Sequence, residues 1–543
     1  MSRVRQKSFP LPGLLFLGTI ISGCSSNTTV MEPYEERLSV DGQIKRDFHS
    51  LLYFPSGTSL HYPGYVIGVE KSPTKIIGKK EGERLFQKDA VYFKEEKDSR
   101  YNTYNSIRRF QEEDSKALFV SHILKSSTIS DSFTGYVAKS HCFVYNSYSA
   151  DPLSKVRKGY DLRKINDWNA CDISLALEGK EANEELETLY GQSADALSAL
   201  QSNLINDLKS DSKSGRYTHI VVLVMGWNTG QFKAVRNFND IIGNIAAAAA
   251  ESQNDASLPS EQSTAPKQGY SYLSLDEAKL NDGLDKASSA RIPFRPLVIG
   301  VTWPSWWFAS FFNFLSYPNK ANDADELGLT WLNYLVNKTI PDAIKISKSQ
   351  VKVVMIGHSF GARAVTRALF SSPALEPSQY RPASNVSLVV GLQGAVSINR
   401  FKEGAGMEGS PYRGFQDLHD THLALTASKH DKAAGGPVFW YDPTGSIKTW
   451  KKVCENGGLH NFPGFSCFRA TDNSAYRGGN FTNTKLDGGD SGGGGISYID
   501  TSDGITEFNS PGSEGGAHSD IYRLPMGRLL WGLIKQHAPS EDK

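Results

Sequence analysis

The chain has 543 residues, which is too long for one ordinary domain, so we expect a principal domain with an appended or inserted region. Its 59 basic and 58 acidic side chains nearly cancel, which argues against nucleic acid as a partner because such binding needs a basic surface. With 39% hydrophobic and 11% aromatic residues, most of the chain is expected to fold outside a bilayer.

Residues 1–23 have the pattern of an export signal. Basic residues at positions 3, 5 and 7 precede an apolar run at residues 11–21, which is too short to span a membrane as a permanent helix. The residues that follow, ending in Gly23-Cys24, resemble a bacterial lipoprotein signal, in which cleavage exposes the cysteine and its sulfur receives a diacylglyceryl group. The resemblance implies that Cys24 is the lipidated mature N-terminus, and an ordinary cleaved signal peptide is the alternative.

The same resemblance implies a location. Ser25 follows the cysteine, which favours sorting to the outer membrane, and several acyl chains on one residue give a stable anchor. Residues 24–42 are mostly polar and predict a tether. We therefore expect a protein of the bacterial cell envelope whose partner is the membrane, reached through lipid on Cys24.

The cysteine count agrees with lipidation. The chain has five cysteines, and removing Cys24 leaves four that can pair in an oxidising compartment. The pairs that are near in sequence, Cys142 with Cys171 and Cys454 with Cys467, are the first expectation, although three connectivities are formally open. No Cys-x-x-Cys or Cys/His spacing indicates zinc, so we expect no metal.

Residues 43–215 form an N-terminal region with a mixed pattern. Strands are indicated at residues 117–123 and 142–145, and a helix is indicated at residues 181–208. No catalytic constellation is found in this region, and the sequence assigns it no role.

Residues 216–543 have a different organisation. Apolar runs rich in Val, Ile and Leu alternate with helical segments, which predicts a doubly wound, mainly parallel sheet covered on both faces. The runs are residues 219–225, 297–302, 351–356, 387–392 and 422–426. Two insertions interrupt them, a polar one at about 251–290 and a glycine-rich one at 478–516.

The central motif lies between the run 351–356 and a helix-compatible segment at 362–370. It reads Gly357-His358-Ser359-Phe360-Gly361. A serine hydroxyl needs a base to become nucleophilic and must stand clear of the sheet, which a sharp strand-to-helix turn achieves. Glycines two residues on either side of the serine are needed because side chains there would clash.

This motif and its strand and helix resemble the α/β-hydrolase superfamily, in its serine esterase and lipase branch. The resemblance covers about residue 217 to the C-terminus and does not reach the N-terminal third. It implies that the loop after the run 219–225 supplies half of an oxyanion hole through the Trp227 N–H, and that Phe360 N–H is the second donor. The family often has histidine where this chain has Met225.

The resemblance also implies an acid and a base that follow Ser359 in the order Ser, Asp, His. Asp431 lies just beyond the run 422–426, where this fold places its acid, whereas Asp420 precedes that run at the wrong end of the sheet. A surface-loop aspartate is the alternative reading of Asp431.

His518 is the candidate base because it follows the glycine-rich stretch and precedes an apolar run at 521–534. His460 and His537 are the rivals, one near the second cysteine pair and the other in a polar tail. His358 is expected to pack or to line the site, since its side chain diverges from that of its neighbour Ser359.

Residues 303–317 form an aromatic segment after the run 297–302. Four interpretations stay open, namely an acyl-chain pocket, a lid, a lipid contact, or a buried cap helix.

These patterns together predict a serine hydrolase acting on carboxylic esters, with lipid or acyl esters favoured and with no metal or organic cofactor. Fold and triad are shared by many activities, so acyl transfer to an alcohol is one alternative. A catalytically silent envelope binding module is the other.

Overall fold

The computed structural model describes part of the chain. The described residues are 39–40, 43–44, 60–71, 118–128, 139–146, 169–170, 186–209, 217–227, 229–254, 294–305, 317–371, 385–402, 420–434, 442–455, 457–462, 464–470, 495–506 and 516–540. The predicted signal with Cys24 lies outside them, as do most of the polar insertion, most of the glycine-rich stretch, and residues 306–316 of the aromatic segment.

The strands and helices are numbered in chain order. The strands are β1 (Ser39–Val40), β2 (Gln43–Ile44), β3 (Gly64–Lys71), β4 (Leu118–Thr128), β5 (Lys139–Asn146), β6 (Asn169–Ala170), β7 (His219–Val224), β8 (Pro296–Thr302), β9 (Lys352–His358), β10 (Leu388–Leu392), β11 (His422–Ala427), β12 (Phe465–Arg469) and β13 (Ile496–Asp500). The helices are α1 (Leu186–Lys209), α2 (Gln231–Asn254), α3 (Tyr317–Leu327), α4 (Ile340–Ser347), α5 (Phe360–Leu369), α6 (Ile447–Cys454) and α7 (Leu524–His537). Two π-helical turns, Gly328–Leu332 and Leu335–Thr339, join α3 to α4, and short 3-10 turns span Ile398–Phe401, Gly458–Asn461 and Ala517–Ser519.

One large sheet organises the described part of the chain. Its strand order is β12-β13-β11-β10-β9-β7-β8-β3-β4-β5-β6. The neighbours from β12 to β3 are parallel, and β4 runs antiparallel to both β3 and β5. The five apolar runs correspond to β7, β8, β9, β10 and β11, so the prediction of an α/β fold on a mainly parallel sheet is confirmed.

The N-terminal region contributes to the same sheet. Strand β3 pairs in parallel with β8, and β4 and β5 extend the sheet beyond it. The strands expected at residues 117–123 and 142–145 correspond to β4 and β5, and the helix expected at 181–208 corresponds to α1. Strands β3 to β6, which precede residue 216, therefore lie in one sheet with β7 to β13, whereas β1 and β2 form a separate two-stranded sheet.

Both faces of the sheet are buried, which explains why its strands show little polar alternation. In β7, Ile220, Val222 and Val224 point into one core cluster, and Val221 and Leu223 point into the other. Helices α1, α3, α4 and α5 pack on the first face, and α2 and α7 pack together on the second.

The predicted pair Cys454–Cys467 is a disulfide, with 5.7 Å between the Cα atoms, and it joins α6 to β12. Cys142 in β5 is also disulfide-bonded. Its expected partner, Cys171, lies outside the described residues, so that pairing stays a prediction. Among the described helices, none is both long enough and apolar enough to cross a membrane.

Candidate active site

Ser359 occupies the turn between β9, which ends at His358, and α5, which begins at Phe360. Its backbone angles are φ 57° and ψ −116°, a conformation that a non-glycine residue rarely adopts and that costs about 1–3 kcal/mol. Two hydrogen bonds connect it to residues 392–395, from Ser359 N to Leu392 O and from Ala395 N to Ser359 O, each 3.0 Å long. The carboxyl end of β10 therefore fixes the strained serine.

The glycines around Ser359 are required by close backbone approaches. A Cβ atom on Gly357 would lie 2.4 Å from Gly361 O, and one on Gly361 would lie 2.0 Å from Val224 O. Sequence reasoning assigned these two glycines to the turn. It did not single out Gly226, where a Cβ would lie 2.4 Å from the Ser359 Cβ. The loop after β7 therefore lies directly against the serine side chain.

Asp431 and His518 are brought together by the fold. His518 Nδ1 lies 2.8 Å from Asp431 Oδ2, and the Asp431 side chain is completely buried. Ala434 N donates to the second carboxylate oxygen, Oδ1, at 2.8 Å. The carboxylate is thus held at both oxygens, and one of them faces the imidazole.

A short backbone pairing explains how two distant segments meet. Asp431 and Gly516 form an antiparallel bridge, and Ala517 N donates to His430 O at 2.9 Å. Gly516 has φ 60°, and a Cβ there would lie 2.5 Å from His430 O. This glycine therefore sets the register between the turn that carries the aspartate and the turn that carries His518.

His358 contacts the candidate base through its backbone. Its Nε2 lies 2.9 Å from His518 O, and the two rings have centroids 4.8 Å apart. A carbonyl oxygen can only accept, so Nε2 carries the proton and donates. Burial, followed by the charges of His518 and Lys233, lowers the pKa of His358 to about 3, so it stays neutral at neutral pH. It lines the site, as expected, and its hydrogen bond connects His518 to the end of β9, directly before Ser359.

The loop expected to supply an oxyanion donor is held by two hydrogen bonds from residues that follow β8. Trp303 Nε1 donates to Met225 O at 2.8 Å, and Ser305 Oγ donates to Thr229 O at 2.7 Å. The Trp227 ring is half-buried, with its centroid 6.2 Å from that of Phe360. Phe360 begins α5, and the first amides of a helix have no acceptor within the helix.

The rival residues lie elsewhere. Asp420 is exposed and precedes β11, and the ring of His537 stacks on His422, the first residue of β11, at 3.5 Å. Both therefore lie at the amino ends of the parallel strands, whereas Ser359 lies at the carboxyl ends. His460 is exposed and binds Gly457 O within its own 3-10 turn.

A buried ionic cluster connects α5 to α3. Arg363 of α5 and Arg400 both bind the carboxylate of Asp325 in α3, at distances of 2.5 to 2.8 Å. Burial alone would raise the pKa of Asp325, but the two guanidinium groups outweigh it and lower this pKa. The cluster fixes the helix whose N-terminus carries Ser359. Among the described residues, no group of three or more His, Cys, Asp or Glu side chains could hold a metal ion.

Sequence reasoning missed Gln393. This residue follows β10 directly, is completely buried, and donates from Nε2 to Asp431 Oδ2 at 3.3 Å. A polar residue at the carboxyl end of a parallel strand was the available signal, because ligands and catalytic groups collect at that edge.

Comparison of the chain with protein-family models, with curated proteins and with solved structures gives no match.

Proposed function

We propose that this chain is a serine hydrolase of the α/β-hydrolase type that cleaves carboxylic esters through an acyl-enzyme on Ser359. The observation that carries the proposal is the 2.8 Å contact between His518 and Asp431, on a histidine whose carbonyl oxygen is bound by the residue before the serine. A strained serine between strand and helix, next in the chain to a residue that binds the histidine of a carboxylate–imidazole pair, fits the arrangement that acyl transfer needs.

Each side chain then has a role in the mechanism. Ser359 Oγ attacks the carbonyl carbon while His518 Nε2 takes its proton, and Asp431 keeps the other imidazole proton on Nδ1 and stabilises the imidazolium. The tetrahedral oxyanion accepts hydrogen bonds from the Trp227 and Phe360 amides. The C–O bond to the alcohol breaks, and His518 gives its proton to the leaving alkoxide.

Water completes the cycle. It attacks the acyl carbon while His518 again accepts a proton, and His518 returns that proton to Ser359 Oγ as the acyl–Oγ bond breaks to release the carboxylic acid. No step in this sequence requires a metal or an organic cofactor. An alcohol in place of water would give an acyl ester instead, which is the transferase alternative.

Lipid or acyl esters are the favoured substrate class. Two sequence features support this choice, the lipoprotein-like signal that precedes Cys24 and the aromatic segment that follows β8 in the chain; the carboxyl end of β8 lies at the same edge of the sheet as Ser359. We propose anchoring in the bacterial cell envelope, at the outer membrane. Membrane fractionation of the full chain tests this part separately, because Cys24→Ala should move the protein out of the membrane fraction.

Ester turnover is the direct test of the activity. The protein without residues 1–24 is assayed on p-nitrophenyl esters from acetate to palmitate, with Ser359→Ala as the inactive variant. Ser198→Ala is the matched control, because Ser198 lies on α1 and its hydroxyl binds only its own helix, at Ala194 O. Turnover that Ser359→Ala retains would refute the proposal, and ester exchange in the presence of added alcohol would favour the transferase.

A further inference from the structure

Gln393 has an unusual backbone conformation and lies between the turn that carries Ser359 and the Asp431 carboxylate. It directly follows β10 and has φ 46°, one of four positive values found at non-glycine residues in the described part of the chain. A left-handed conformation at a residue other than glycine, asparagine or aspartate is kept only where its surroundings impose it.

The orientation of the Gln393 amide is fixed by Thr426 of β11. Gln393 N donates to Thr426 Oγ1 at 3.0 Å, and the hydroxyl of Thr426 in turn donates to Gln393 Oε1 at 2.9 Å. A backbone N–H can only donate and the Asp431 carboxylate oxygen accepts, so the NH₂ group belongs on the Asp431 side and the Thr426 hydroxyl donates to the amide oxygen. The amide oxygen therefore faces β11, and the NH₂ group faces Asp431 Oδ2 at 3.3 Å.

The same oxygen of Asp431 therefore receives two donors. His518 Nδ1 approaches it from the turn at residues 516–520, and Gln393 Nε2 approaches it from the end of β10. With Ala434 N on Oδ1, three donors fix the carboxylate in one orientation. Hydrogen bonds to a charged acceptor are the stronger kind, so each donor contributes to that orientation.

Gln393 also belongs to the turn that holds the serine. Leu392 O accepts from Ser359 N, and Ala395 N donates to Ser359 O, so residues 392–395 contact both Ser359 and Asp431. The turn is packed from outside by Gly445, whose N donates to Gly394 O at 2.9 Å. A Cβ on Gly445 would lie 2.7 Å from the Gln393 carbonyl carbon, so the turn has little room to shift.

We infer that Gln393 is a positioning residue that aligns the Asp431 carboxylate with His518 and couples the acid of the triad to the serine turn. The inference rests on the proposed function, because it assigns a role relative to that acid and base. Its effect on chemistry is indirect: it keeps Oδ2 directed at Nδ1–H, so that Nε2 remains the free base.

Two substitutions at position 393 test two effects separately, the loss of the amide donor and the addition of a negative charge. Gln393→Met removes the donor to Asp431 and should slow fluorophosphonate labelling of Ser359 about tenfold at pH 8. Gln393→Glu keeps an acceptor for Thr426 but directs a carboxylate at Asp431. The added negative charge favours the imidazolium of His518, so the acid limb of the labelling profile should move up by about one pH unit.

The groups that face His518 are Asp431 from the turn after β11 and His358 from β9, and Lys233 of α2 faces His358. None of these three is altered by the substitutions. Gln536→Met on the exposed side of α7 is the matched control. Thr426→Val, which releases the amide without touching Asp431, should slow labelling in the same direction and serves if the position 393 variants do not fold.

The experiment measures Ser359 labelling and the rate at which diethyl pyrocarbonate modifies His518, both against pH and both mapped by peptide mass spectrometry. Folded variants whose two profiles match the wild type would overturn the inference. The His518 rate needs no substrate, so it separates this inference from the proposed function. If wild-type Ser359 is not labelled, the proposed function fails, while a shifted His518 profile in Gln393→Glu still supports the positioning role.

Discussion

His518 Nδ1 lies 2.8 Å from Asp431 Oδ2 although 87 positions separate the two residues along the chain. The Asp431 side chain is completely buried, and a buried carboxylate is costly unless hydrogen-bond donors reach it. His518 is one of those donors. The contact depends on the bridge between Asp431 and Gly516, which joins the turns on which the two residues lie.

Removing the charge of Asp431 should abolish most of the activity. In Asp431→Asn the amide still accepts from Ala434 N through its oxygen, but its NH₂ group then faces His518 Nδ1 and favours the wrong imidazole tautomer. Ester turnover should fall on the order of 10³- to 10⁴-fold. Asp420→Asn is the control at the opposite edge of the sheet, and equal activity in the two variants would contradict the assignment of the acid.

Filling the space beside the serine should damage the site. Gly226→Ala places a methyl group 2.4 Å from the Ser359 Cβ, so either the serine or the loop after β7 must shift. A displacement of this size should cost about 10²-fold in turnover. Gly230→Ala is the matched control, because a Cβ there meets nothing within 4 Å. Activity of Gly226→Ala close to that of Gly230→Ala would show that the loop does not approach the serine as described.

The hydrogen bond from His358 to His518 O should affect activity by positioning His518, because His358 is neutral and carries no charge to the site. His358→Phe keeps a buried ring but loses the donor, and turnover should drop about tenfold. His358→Gln restores an N–H donor and should recover part of the loss. Equal activity of the two variants would show that the bond does not position His518.

Three histidines at the amino ends of the strands should make the protein acid-sensitive. Burial lowers the pKa of His219 to about 4 and that of His422 to about 3, the latter also because His537 stacks on it; burial lowers the pKa of His537 to about 4. Between pH 6.5 and these values the unfolded chain binds protons that the folded chain does not. The stability that these neutral histidines contribute is therefore fully present above pH 6.5, and it is lost as the pH falls from 6.5 toward their folded-state pKa values.

The size of this loss can be measured by urea unfolding at pH 7.5 and pH 5. Because the pKa of His219 falls from 6.5 to about 4, roughly 3 kcal/mol of stability is lost once the pH is low enough for the folded state to be protonated as well, and part of that loss is already present at pH 5. His422→Phe keeps a ring against His537 and should reduce the slope of stability against pH. A slope unchanged by His422→Phe would show that the stacked pair does not titrate as described.

The sheet could be predicted from the sequence where local patterns carry the information. The runs that became β7 to β11 are buried on both faces, so they are continuously apolar and stand out. Strand β3 was not predicted, because glycines at positions 64 and 68 weaken its pattern and its partner β8 lies more than 200 positions away in the chain. The insertion predicted at 478–516 is wrong for residues 496–500, which form the buried strand β13 between β11 and β12; the glycines around this short run hid it.

The candidate site divides in the same way. Ser359 could be found from its own neighbours, and Asp431 and His518 followed from their order and from the ends of elements. Gln393 was missed because its one sequence signal was its position after an apolar run, whereas its contacts depend on β10 and β11 being adjacent and on the direction of the Thr426 hydroxyl. The contact of His358 was missed for the same reason, since its partner carbonyl lies 160 positions away.

The most direct test of the central claim is fluorophosphonate labelling of the purified protein without residues 1–24, mapped by peptide mass spectrometry beside Ser359→Ala and Ser198→Ala. We expect a single adduct on Ser359 in the wild type and in Ser198→Ala, and none in Ser359→Ala. A folded wild-type protein that gives no adduct on Ser359, or that is labelled equally on other serines, would contradict an activated nucleophile at this turn.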